Sequence, residues 1–259
     1  MISRRHFIAL TGATALQACS ASGGSTAPVA RSSMRAVPNA AFDAWVERFK
    51  SRASSSGISD ATLRAGLRGV GFLPDVIDRD RNQTEFKRSF EDYLAIVASE
   101  EKVKAGRAAF AREKSRLNAI EAKYGVPANV VAAIWGVESN FGTRRGDIPV
   151  ISATATLAFD GRRGAFFEKQ LIAALKILQT GDTTPDRLVG SWAGAMGHTQ
   201  FIPTSYQLFA VDFTGDGRRD IWSDDPSDAL ASTAAYLARS GWQRSQPWGR
   251  EVTSGGLQP

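Results

Sequence analysis

The residue best placed to do chemistry is Glu138, which interrupts an apolar helical pattern, ANVVAAIWGVESNFG, at residues 128–142. Val131 and Ile134 precede it by seven and four residues and Phe141 follows by three, so a 3.6-residue period puts all four on one stripe. Pro127 suits the first helical turn and Gly142 the stop, which places the carboxyl in the last turn. Desolvation by apolar neighbours and the negative end of the helix dipole both disfavour the charged form and raise its pKa. A carboxyl that keeps its proton near neutral pH is a general acid. The same stripe admits a structural reading, a buried glutamate paired with an arginine, and the stretch alone leaves both open.

Other nucleophile and metal chemistries have few residues to draw on. The 259 residues hold one cysteine, Cys19, and two histidines, His6 and His198. Zinc sites of the Cys/His kind cannot be assembled from these, and a Ser-His-Asp triad could use only His198. No Gly-x-Ser-x-Gly elbow occurs, so His198 reads as a surface histidine or one that supports a site. With 43% hydrophobic and 22% charged residues the composition is that of a globular protein with ample core. The net charge of +6 favours an anionic neighbour, such as an acidic membrane face or a bacterial wall. Without a long Lys/Arg run, no nucleic-acid partner is expected.

A second informative stretch is GSWAGAMGHTQFIPTSY, residues 190–206. Its small residues around Trp192, Met196 and Gln200 let backbone or ligand approach closely, and Pro203 starts another helix. A third, DFTGDGRRDIW at 212–222, matches the start of a calcium loop, with oxygen ligands at positions one, three and five and glycine at six. Position twelve is Ser223, so the closing carboxylate must come from Asp224, Asp225 or Asp228. The alternative is an acidic solvated turn.

The elements that must hold these residues are helical. Phe42, Trp45 and Phe49 begin the pattern from Asn39, and Ser54–Gly57 end it. Ser59 caps a short helix with Leu63 and Leu67, and the segment 69–74 breaks the chain. Thr84 is expected to cap a helix through Phe86, Phe90, Tyr93 and Val97. Ser99 opens another through Val103, Phe110, Leu117, Ile120 and Tyr124. Helices are expected at 151–159 and 164–180, flanking a turn with Arg162 and Arg163, and at 204–211 and 227–240. No segment alternates with period two for long, so the fold class is all-α, with any β content minor and near the C-terminus.

Residues 1–18 read as an export signal: Arg4 and Arg5 before a short apolar run suggest a twin-arginine type. The run is too short to span a membrane. LQAC at 16–19 resembles a lipoprotein box that would lipidate Cys19 and anchor the protein to a membrane. Residues 19–38, rich in Ser, Gly, Ala and Pro, suit a flexible tether, which leaves 39–259 as the folded domain.

Taken together, VESNFG at 137–142, the glycine stretch 190–206 and the aspartate loop at 212 resemble, in order and spacing, the lytic murein transglycosylases of the membrane-bound B type, from about Phe42 to Glu251. The resemblance implies a lysozyme-like helical core that cleaves the MurNAc–GlcNAc β-1,4 bond of peptidoglycan without water, leaving a 1,6-anhydro sugar. It makes Glu138 the sole catalytic acid and base. Ser191 and Gln200 match groove residues holding that acid or the sugar amide, and Tyr93 and Tyr236 match tyrosines of the cleft. Arg162 and Arg163 match a basic pair near the peptide or lactyl side of the substrate. Asp212, Thr214, Asp216, the Arg218 carbonyl and Asp228 match a structural calcium site. The loop before Asp228 is two residues longer than the family pattern, and the family's C-terminal part is incomplete by Pro259. A monomer in the periplasm, anchored at the outer membrane, is expected. The rival functions are a goose-type lysozyme hydrolase and a non-catalytic, calcium-dependent murein-binding scaffold.

Overall fold

The structure, a computed structural model, describes residues 34–82, 89–244 and 246. The export signal, Cys19, the tether before Met34 and the expected cap at Thr84 lie outside them. Eleven helices and one two-residue strand pair make up the described architecture, so the fold is all-α.

Local chemistry sets the helix ends. α1 (Ala40–Ser55) is capped by Asn39, whose side chain accepts from Phe42 N at 3.0 Å. Serines do the same for α2 (Asp60–Gly66), α4 (Phe90–Val97) and α5 (Glu100–Arg112), through Ser59, Ser89 and Ser99. α3 (Pro74–Arg81) starts on proline at its first position. α6 (Lys114–Tyr124) stops at Gly125 in the left-handed region. Then follow α7 (Ala128–Ser139), α8 (Val150–Asp160), α9 (Gly164–Thr180), α10 (Pro203–Phe209) and α11 (Ser227–Arg239).

Three features depart from the sequence reading. The break at 69–74 is followed by α3, whose mostly charged sequence gives little apolar period. The helix expected to run from Ser99 to Tyr124 divides at Glu113 into α5 and α6. The β content is not C-terminal: β1 (Ile148–Pro149) pairs antiparallel with β2 (Val189–Gly190), joining the segment after α7 to the one before the glycine-rich stretch.

At the centre stands α8, buried at every position from Val150 to Ala158, as a helix apolar or small all round must be. Its buried polar side chains are satisfied: Ser152 Oγ accepts from Gly71 N and Thr156 Oγ1 from Leu73 N, which ties the 71–73 segment onto the core. One core cluster joins α1, α2, α8 and α9 to Tyr206 and Trp222. Another joins α5, α6, α7 and α11 around Trp135, Leu117 and Leu230. The second holds the Glu138 helix.

Asp80, at the end of α3, is 3% exposed. Its carboxylate accepts from Arg162 Nε at 2.6 Å and from Arg163 Nη2, while Arg162 Nη2 also reaches the Asp80 carbonyl at 2.8 Å. The α8–α9 turn is thereby fastened to α3. Removing the carboxylate would strand two guanidinium groups that are each about half open to water and can re-solvate. Asp80→Ala is therefore expected to cost about 2 kcal/mol, below the range for a fully buried pair. The urea midpoint measures it, and an unchanged midpoint would show that the knot adds nothing.

Candidate active site

On α7 the buried face is Ala128, Val131, Ala132, Trp135, Gly136 and Ser139. Glu138 lies off that face. The expected core stripe of Val131, Ile134, Glu138 and Phe141 is therefore wrong as a stripe: Val131 is buried, Ile134 and Phe141 are half-buried, and Glu138 is exposed at the mouth of a cleft. The true face is rich in alanine, glycine and serine, which allow neighbouring helices to come close but carry a weak hydropathy signal.

The cleft, about 360 Å³, is lined by Ile134, Glu138, Thr199, Gln200, Phe201 and Tyr236, with further contributions from α10 and α11. Glu138 is its only carboxylate, and among the described residues it has no hydrogen-bond or ion-pair partner. Desolvation by the cleft walls raises its pKa above the ordinary glutamate value. The side chain still meets solvent, so the cause is partial enclosure rather than burial.

The chain leaves α7 through three consecutive left-handed residues, Asn140 (φ 51°), Phe141 (φ 57°) and Gly142 (φ 83°). Among the described residues only Asn140, Phe141 and Gln200 combine positive φ with a side chain. The first two lie two and three residues after Glu138, and the third lines the cleft with it. Such conformations persist when packing over-determines them. The Phe141 ring packs edge-on to Trp135 at 5.8 Å and fills the space left by the missing side chain of Gly136, where a Cβ would lie 2.5 Å from it.

The glycine-rich stretch closes over this end of α7. Ser191 and Ala195 form a tight turn, with Ser191 N donating to Ala195 O at 2.7 Å and Ala195 N donating to Ser191 Oγ at 3.1 Å. Met196 and Phe201 exchange backbone bonds at 2.9 and 3.0 Å, folding 197–200 into a loop. From that loop the His198 carbonyl accepts Ser139 Oγ at 2.5 Å. The His198 ring is buried; Trp135 Nε1 can only donate, so Nδ1 accepts it at 3.1 Å and Nε2–H donates to Ser223 O at 2.8 Å. Burial lowers its pKa and keeps it neutral. Gln200 Nε2 donates to the carbonyls of Arg145 and Gly197, which uses its N–H groups and leaves the amide oxygen for a ligand. Arg145 in turn holds Trp222 O, Ser223 O and Asp224.

The remaining expected site residues divide. Tyr236 reaches the cleft from α11, edge-on to Phe201 and Phe209. Ser191 supports its turn and does not line the cleft. Tyr93, exposed on α4, does not line it either. Arg162 and Arg163 are bound to Asp80 rather than presented to a ligand. Thr199, Phe201 and Ser205 are lining residues that the sequence reading did not single out, although all three fall in the stretch it marked. Arg145 carried no signal, since its work is done through backbone carbonyls remote in sequence.

The aspartate loop offers oxygen donors alone, the right chemistry for a hard cation. It brings Asp228 near enough to Asp212 for the latter's charge to add to desolvation, the main cause, in raising the Asp228 pKa. Asp212 accepts from Thr214 Oγ1 and the amides of 215, 216 and 217; Asp228 accepts from those of 213, 214 and 220. Asp216 turns to the Arg218 amide. Among the described residues no three His, Cys, Asp or Glu side chains are grouped to hold a metal, and Asp212, Asp216 and Asp228 are bonded to backbone amides instead.

Residues 41–257 match the family model described as the transglycosylase SLT domain. Over 120 residues the chain is 42% identical to the membrane-bound lytic murein transglycosylase B of Escherichia coli (strain K12), 46% of this chain and 33% of that protein. It is similar in structure to SltB3 from Pseudomonas aeruginosa, solved in complex with NAG-NAM-pentapeptide: TM-score 0.79, 46% identity, 84% of this chain and 59% of the other. Escherichia coli Slt35, solved in complex with calcium, gives TM-score 0.69 and 30% identity over 81% of this chain and 65% of its own. The chain thus spans about a third of the curated relative and under two thirds of these solved ones.

A pKa raised in the fold means that the folded state holds the Glu138 proton more tightly than the unfolded chain does. That contribution to stability is complete below the unfolded pKa and is lost as pH rises through the folded one. At neutral pH, Glu138→Gln is expected to melt at or above the wild-type temperature, with the gap closing below the ordinary glutamate range. A variant that melts clearly lower at neutral pH would give the carboxylate a structural partner instead.

Proposed function

The chain belongs to the transglycosylase SLT domain family, and from that premise we propose that it is a lytic murein transglycosylase with Glu138 as its acid and base. The observation that carries this reading is the single unpartnered carboxyl in the cleft, with raised pKa and no second acid beside it. Hydrolysis by two carboxylates requires a partner acid on the opposite face of the sugar. None lines this cleft.

The steps need one proton carrier. Protonated Glu138 gives its proton to the oxygen of the MurNAc–GlcNAc bond as the C1–O bond breaks, releasing GlcNAc with a free 4-hydroxyl. The 2-acetamido oxygen stabilises C1 from the other face. Glu138, now a carboxylate, takes the proton of the MurNAc C6 hydroxyl as that oxygen bonds to C1, forming the 1,6-anhydro ring and restoring the acid. No water is consumed, and the intramolecular hydroxyl acts at high effective concentration. Gln200 suits the acetamide N–H, since its free oxygen is an acceptor. Tyr236 supplies an exposed aromatic wall for a sugar face. Ser191 acts through the turn that places the 196–201 loop.

This reading puts the protein in the periplasm, held to the outer membrane through lipidated Cys19, as a monomer acting on glycan strands and not on nucleic acid. The Escherichia coli relative, described as membrane-bound, supports it. Calcium enters as a structural ligand. Asp212, Thr214, Asp216, the Arg218 carbonyl and Asp228 would hold it once Asp216 leaves the Arg218 amide, fastening the end of α10 to α11.

Incubation with purified sacculi is expected to release muropeptides one water lighter than hydrolysed ones, and Glu138→Gln to lower the rate by about 10³-fold. Reducing-end products would establish the hydrolase; sacculus binding without product would establish the scaffold. For the loop, Ca²⁺ at a hundred times its Kd should stabilise the fold by about 2.7 kcal/mol, read as a rise in Tm. Asp216→Ala should abolish the rise, and no rise in wild type would leave the loop closed on its own amides.

A further inference from the structure

A second groove, about 420 Å³, is lined by residues of α5 and α7 and by Val97 and Ala98 at the end of α4. Phe141 forms part of its lining, and Val103, Phe110, Ala133 and Val137 make apolar walls. Its only charged lining residues are Lys102 and Arg107. Neither has an ion-pair partner among the described residues, although Lys102 is half-buried. Two cations on an otherwise apolar lining suit an anionic ligand with apolar parts.

The groove adjoins the Glu138 cleft. Ala133 and Val137 line the groove while Ile134 and Glu138, the next residue in each case, line the cleft. Consecutive helical residues lie about 100° apart, so the two concavities flank one ridge of α7. A ligand crossing Val137 and Glu138 enters both.

We propose that the α5–α7 groove is this chain's subsite for the stem peptide of its glycan substrate, with Lys102 and Arg107 reading peptide carboxylates and the apolar walls taking alanine methyls. The assignment rests on the function proposed above. A stem peptide carries methyl-bearing alanines, side carboxylates and a free C-terminus, which matches a groove that is apolar apart from two cations. Lys102 and Arg107 both reach this groove from α5. Arg162 and Arg163, which the resemblance sets near the peptide or lactyl side, are paired with Asp80.

The test is calorimetric titration of the full chain carrying Glu138→Gln with a synthetic pentapeptide, L-Ala-γ-D-Glu-meso-diaminopimelate-D-Ala-D-Ala. Saturable binding is expected, weakened about tenfold by Lys102→Ala with Arg107→Ala and by the groove-filling Ala133→Phe, and partly restored by Lys102→Arg. In the active enzyme, the ratio of cleavage rates on peptide-bearing over peptide-free strands should fall by a similar factor in the double variant. No saturable binding, binding indifferent to these variants, or an unchanged ratio overturns the assignment. So does a groove that instead takes oleate or a second copy of the chain, seen as variant-sensitive binding or dimerisation. Peptide binding without cleavage by wild type would refute the proposed activity and leave the subsite standing. Cleavage with an unchanged ratio would do the reverse.

Discussion

The hydrogen bond from Ser139 Oγ to the His198 carbonyl, at 2.5 Å, joins two segments 59 residues apart, and the cleft exists because they meet. One such bond is worth about 1 kcal/mol net, too little to hold the site by itself. It is reinforced where Trp135 donates to the His198 ring, and where Gly142, lacking a Cβ, lets that ring approach its backbone. With His198 neutral and fixed as the Nε2–H tautomer, the ring also reaches Ser223 and so connects α7 to the segment leading into α11. Glu138, next to Ser139, and Gln200, two residues beyond His198, line the same cleft. Gln200 is held further by its own bonds to the carbonyls of Arg145 and Gly197.

That arrangement explains where the backbone is strained. The positive-φ side-chain residues among those described lie around the cleft, two shortly after Glu138 and one in the lining it shares. Ending α7 abruptly leaves the Glu138 carboxyl at an open edge, where it keeps part of its hydration. Full burial would raise the pKa further but close the route to a substrate. Full exposure would leave an ordinary carboxylate. The partial enclosure found here is the compromise that general acid chemistry needs.

Much of this was legible in residue order, and the failures have physical causes. The helix starts at Ser59 and Ser99 are local and were readable as such. The importance of residues 128–142 and 190–206 was readable from a carboxylate and glycines in unlikely company. The face that Glu138 occupies was not, because α7 packs through Ala132, Gly136 and Ser139, whose small size gives close contact but little hydropathy. The partner of Arg162 and Arg163 was hidden for a different reason: Asp80 lies 82 residues away and looks like any charged residue of α3. The aspartate loop shows the limit of motif spacing. Its carboxylates have an alternative to a cation in the backbone amides around them, and residue order does not say which they take.

The central claim is that the Glu138 carboxyl, alone in its cleft, holds a proton more tightly than a free glutamate does. Carbon-13 NMR of its labelled Cδ through a pH titration of the full chain measures this directly. The account predicts a midpoint above the ordinary glutamate value, falling back toward it when the protein is unfolded. A midpoint at or below that value in the folded protein would contradict it.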